Sequence, residues 1–370
     1  MSAFPSVDPI PLPAPVELFK ILHDATLSLH FIAVQILIGG LLVATILGFL
    51  SRKNSNPPGL KKEAAKMLAV KLPVVMTYVI NLGVPPLLFL QVLYGRSFYT
   101  SSVLIGVFWI AVIFILIGAY WHIYRYSGGF ELEKALWWKG VVAWILVIGI
   151  AIIYSTTMTL MLRPEVWQKM YATSAYGTHL PPSDPTIMPR WLFMLTGGLV
   201  AGGLWMIWIG SSKSVAKEVG EYLSRLGGYI TTAGVVINVP IAIWVMQAQP
   251  DFVSKALSAN ALCKVAIILW LISMCGILIF GIWRGFGKSE IIPSRYVGFG
   301  LIVVEVLSAV VIRDAIRDAT LIEKGFNVMQ RVVVTNWYVV GIFLISFVLG
   351  LIAVGWLIYT MAKSKPAAQK

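Results

Sequence analysis

The 370 residues are 58% hydrophobic and only 12% charged, with a mean hydropathy of +0.84. That charged share is about half the usual soluble value, which excludes an ordinary water-soluble globular domain. The net charge of +13 is not gathered into any basic, aromatic-interleaved soluble segment. Nucleic-acid binding is therefore excluded, and the charge reads as membrane topology and contact with anionic lipid.

Residues 1–27 hold Pro5, Pro9, Pro11, Pro13 and Pro15 with acidic Asp8, Glu17 and Asp24, which is not the basic-then-apolar order of a signal peptide. They read as an extracytoplasmic extension, with a short interfacial helix over Glu17–Leu27. Nine apolar stretches follow, at roughly 28–50, 72–94, 101–124, 138–161, 190–211, 227–248, 261–283, 296–316 and 335–361. A span needs about 20 apolar residues. Unbroken runs without two-residue alternation predict helices and not barrel strands. The fold class is all-α: a polytopic membrane protein of about nine transmembrane helices.

Within span two, Pro85-Pro86 follows Asn81 and Gly83, and a kink is expected there. Pro240, after Asn238, predicts a milder one in span six. The connector 163–189, with Trp167, Tyr171, Tyr176, His179, Pro181, Pro182, Pro185 and Pro189, reads as a non-helical outer loop. It divides a first bundle of four helices (28–162) from a second of five (190–362), followed by a cytoplasmic tail (363–370).

Eighteen of the 29 lysines and arginines fall on one side of this topology, Arg52, Lys53, Lys134, Lys288, Lys365 and Lys370 among them. The positive-inside bias places the C-terminus in the cytoplasm and the N-terminus outside, in a bacterial-type inner membrane. Cys263 and Cys275 share one helix about 18 Å apart along its axis and cannot bridge. Without a CxxCH motif the chain attaches no covalent haem c. Gly197-Gly198 and Gly202-Gly203 lie inside a span and read as close helix packing.

Polar groups are expensive in lipid, so each invites a function. His30, near the outer end of span one, is either a haem-iron ligand or an interfacial histidine bonded to a neighbouring helix. Glu305 is the only acidic residue well inside a span. It is a proton acceptor, a quinone partner or a metal ligand, or it serves a structural partner. Arg313-Asp314 and Arg317-Asp318 stack on one helical face, as ion pairs or as an arginine fork for propionates or a quinone head group. His122 reads as a membrane-interface anchor.

The order and spacing of these pieces resemble subunit I of cytochrome bd-type quinol oxidases. The likeness is carried by His30-Phe31 with Gly39-Gly40, by Gly83 through Gly95-Arg96-Ser97-Phe98-Tyr99, by Pro189-Arg190-Trp191 through Gly203, and by Glu305 through Asp318. It implies that His30 ligates one haem b, that Arg313 and Arg317 contact its propionates or a quinone, and that Glu305 accepts protons. The departures are specific: Phe193 stands where the family presents a second haem histidine, and span three lacks its glutamates. Oxygen reduction is therefore not expected. The chain reads as a membrane subunit of a respiratory electron-transfer complex, exchanging electrons between membrane quinone and an outer-face c-type cytochrome. Its expected partners are other complex subunits, quinone and lipid. The alternatives are a haem-free membrane anchor of a redox assembly and a small-molecule transporter.

Overall fold

The computed structural model describes residues 4–5, 10–51, 59–132, 136–287 and 295–363. Arg52, Lys53, Lys134, Lys288, Lys365, Lys370, Asp8 and Pro9 lie outside the described residues. The chain is all-helical, with no strand among them. In order come α1 (Val16–Leu50), α2 (Leu60–Ala69), α3 (Leu72–Leu104), α4 (Gly106–Glu131), α5 (Trp137–Leu160) and α6 (Pro164–Thr173). Then follow α7 (Ile187–Gly210), α8 (Lys217–Gln247), α9 (Asp251–Ala259), α10 (Ala261–Phe286), α11 (Arg295–Glu323) and α12 (Trp337–Lys363). Seven are long and apolar enough to cross a membrane: α1, α3 with α2 leading into it, α4, α5, α7, α8 and α10. The other two expected stretches are also helical. α12 is apolar over Trp337–Ala353, and α11 carries Glu305 and the Arg-Asp repeat.

α1 is central. It packs against α3, α5, α7 and α11, and 72% of its most apolar window is buried, against 11% for α4. The α1–α7 crossing depends on glycine. A Cβ on Gly202 would sit 2.9 Å from the Gly39 backbone, and one on Gly203 would sit 2.6 Å from the Gly227 carbonyl oxygen of α8. Small residues at such crossings let the two backbones approach and gain dispersion contact. The outward faces stay apolar, as at Phe114 (69% exposed) and Ile345 (64%).

Two local expectations differ from the structure, the separate helix over 17–27 and the non-helical connector 163–189. Residues 17–27 are no separate interfacial helix: α1 runs unbroken from Val16, because no proline interrupts it after Pro15. α3 stays helical through Pro85-Pro86, and its non-helical residue is Tyr94 (φ −124°, ψ 28°). The connector 163–189 contains α6, started by Pro164 at its first turn and seated by Trp167, whose indole N–H donates to the Leu160 carbonyl at 2.9 Å. The connector after α8 likewise forms α9.

A cap closes the end of the bundle where α1 begins. The strap before α1 pairs with the α11–α12 connector: Leu12 N–H donates to Val332 O at 2.8 Å, and Val334 N–H to Leu12 O at 2.9 Å. Phe4 sits between Trp167 and Phe326, with centroids 5.5 and 5.4 Å away. Beneath this roof lie the C-terminal turns of α11.

Candidate functional site

Two of the histidines lie seven residues apart on α1, so they share one face about 10.5 Å apart along the axis. His30 turns toward α3. Its Nδ1 lies 3.0 Å from the Val79 carbonyl oxygen. A carbonyl only accepts, so the proton sits on Nδ1 and Nε2 keeps its lone pair. Gly83 makes the approach possible, since a Cβ there would come within 2.8 Å of the imidazole Cε1. One turn on, Pro85 and Pro86 offer no N–H to the carbonyls of Asn81 and Leu82. No described residue meets Nε2. An imidazole held by Nδ1–H to a backbone carbonyl is the usual arrangement of a metal-bound histidine, because the second bond fixes ring orientation and tautomer. His30 is thus the residue that would hold a haem iron, through Nε2. Phe31, next in sequence, carries the Arg313 guanidinium over its ring at 5.9 Å.

His23, expected outside the bilayer, is buried at 2% exposure, with Nδ1 3.0 Å from Asp24 Oδ1. It borders an ion network beneath the cap. Lys20 reaches Asp314 at 2.7 Å and also binds Asp318; Arg317 pairs with Asp314. Tyr94, wholly buried, donates its hydroxyl proton to Asp318 at 2.6 Å. Arg317 donates to the same hydroxyl at 3.2 Å, and its guanidinium lies 4.0 Å from the Tyr94 ring centroid. Burial strengthens each of these bonds and makes each unmet charge costly.

The expected pairing on α11 is thus rearranged. Arg317 bonds Asp314 one turn back, Asp318 turns to Lys20 and Tyr94, and Arg313 pairs with neither aspartate. The reason is tertiary: α1 and α3 supply the partners of Asp318. One possible ligand atom from each of His23, Asp24 and Asp314 gathers within 4.8 Å. Asp314, however, already lies between Lys20 and Arg317, whose charges take the place of a metal cation.

Glu305 is 4% exposed, and the Trp270 indole N–H donates to its Oε1 at 2.9 Å. Phe193 stands 6.4 Å from the Trp270 ring, and its carbonyl accepts from Asn238 at 3.0 Å. Side chains of α7, α8, α10 and α11 thus meet one another here. Asn81 and Lys264 are exposed, and among the described residues His179 bonds only its neighbour Thr178.

The network members Lys20, His23, Asp24 and Tyr94, and the Trp270 donor, were not singled out as site residues by the sequence. Two local signals were present: the seven-residue step from His23 to His30, and Lys20 four residues before Asp24. Tyr94 and Trp270 gave none. No protein-family model matches the chain, and no curated protein matches it.

Proposed function

We propose that the chain is a nine-span membrane subunit of a respiratory electron-transfer complex, lying in a bacterial-type inner membrane with its N-terminus outside. It exchanges electrons between membrane quinone and an outer-face partner, a c-type cytochrome, and it does not reduce oxygen. The observation that carries this reading is His30, whose Nδ1–H bond to Val79 leaves Nε2 with its lone pair. The divergent likeness to subunit I of bd-type oxidases and the apolar outward faces support it. His30 would hold one haem b, which supplies one-electron transfer when bound. Arg313, beside Phe31, and Arg317 would meet propionates or a quinone head group. Glu305 would accept a proton at the carboxylate that Trp270 orients.

The test is a reduced-minus-oxidised spectrum with a pyridine haemochrome assay on the purified chain and on His30→Ala. A b-type signal near one haem per chain, lost in His30→Ala, is the expected result. A signal that survives the substitution refutes the ligand assignment. A second reading, a haem-free anchor in a redox assembly, is favoured by the contacts among Phe193, Trp270 and Glu305. A well-folded preparation without haem would select it.

A further inference from the structure

The cap end of the bundle is over-supplied with positive charge. Lys20, Arg190, Arg313 and Arg317 lie within electrostatic reach of one another's neighbours, and so do Asp24, Asp314 and Asp318. Four cations therefore face three carboxylates among the described residues, and a protonated His23 would only widen the surplus. Asp184 also reaches Arg190 but is shared with Arg163 at 3.5 Å, so counting both gives five cations to four carboxylates and the surplus stays.

The surplus is local, and it has unused donors. Arg317 is 3% exposed, and its Nε and Nη1 are buried with no hydrogen-bond partner. Arg313 makes no ion pair with any described residue and only faces the Phe31 ring. Arg190 bonds two neutral acceptors at a long 3.3 Å each, Thr159 Oγ1 and Gln249 Oε1. A buried guanidinium without an anion keeps its desolvation penalty uncompensated, and arginine's fork is shaped for carboxylate or phosphate oxygens.

We infer that Arg190, Arg313 and Arg317 form a binding site for an oxyanion, carboxylate or phosphate, supplied from outside the chain. The partly exposed side chains of Lys20 and Asp318, at 20% and 17%, mark the wet edge of the network. The inference rests on the roles proposed above for Arg313 and Arg317: the propionates of a haem on His30 would take the same donors, and in the haem-free chain an oxyanion from outside takes them. Arg190 on α7 is the member that turns two residues of α11 into a receptor bridging helices.

The experiment is thermal unfolding of the full chain in neutral detergent, with two probes added separately. One is inorganic phosphate. The other is phosphatidylglycerol in the micelle, against phosphatidylcholine of the same acyl chains. A ligand that binds only the folded state raises the midpoint, by about 2 °C or more near saturation. A rise with phosphate identifies a dissolved anion, and a rise with phosphatidylglycerol alone identifies a lipid head group; either supports the site. Arg190→Gln, which gives up two neutral bonds and the attraction of Asp184, should fold and lose the response. Thr159→Asp places a carboxylate beside Arg190 and should keep wild-type stability while no longer responding. His30→Ala should keep the response, which separates this site from the haem assignment. No rise with either probe in the haem-free His30→Ala chain, or an undiminished rise in Arg190→Gln, overturns the inference.

Discussion

Replacing Asp314 by asparagine keeps the shape of the side chain and removes one charge from the centre of the ion network. Asp314 meets Lys20 at 2.7 Å and also Arg317, and its side chain is 7% exposed, with Arg317 at 4% and Lys20 at 20%. Removing one partner of a buried pair typically costs about 3–5 kcal/mol, because the other charge stays buried unmet. Asp318 still holds Lys20, so the lower end, about 3 kcal/mol, is expected. Tyr94→Phe removes a hydroxyl that gives a 2.6 Å bond to Asp318 and takes one from Arg317, and should cost about 2 kcal/mol. Glu165→Gln touches the same cap, but Glu165 is 47% exposed and lies 3.3 Å from Lys324, so less than about 1 kcal/mol is expected. The assay is reversible unfolding in mixed micelles, with the three variants compared under one condition. If Asp314→Asn costs no more than Glu165→Gln, the network is not buried as described and the argument fails.

Gly202→Leu should abolish a monodisperse elution profile, since its Cβ would meet the Gly39 backbone at 2.9 Å; Gly149→Leu, with nothing within 4 Å, should elute as wild type. Glu305→Leu leaves the Trp270 indole N–H unmet and should cost about 1–3 kcal/mol. Glu305→Gln retains an acceptor and should keep stability while losing any proton-coupled turnover; equal stability of the two variants would remove the hydrogen bond from the account. Phe4→Ala deletes ring contacts to Trp167 and Phe326 and should speed hydrogen exchange at the Leu12 and Val334 amides about tenfold. Unchanged exchange would mean the strap is held by its backbone pairing alone.

The class of this chain was legible in the order of its residues. Runs of about 20 apolar residues without alternation can only satisfy their backbone as helices, and hydropathy reports that locally. The glycine pairs of α7 announced close packing, and His30 and Glu305 drew attention as polar groups in apolar surroundings. The rest depended on neighbours far along the chain. The proton on His30 is placed by Val79, 49 residues on; Asp318 is claimed by Lys20, 298 residues back; and Glu305 is met by Trp270, 35 residues before it. Apolar helix surfaces look alike in sequence, so nothing in it says which helix lies beside which. The break at Tyr94 and the pairing of Arg317 with Asp314 follow from those neighbours. A buried charge or imidazole takes whichever partner the packing brings within 3 Å, and only the tertiary structure chooses that partner.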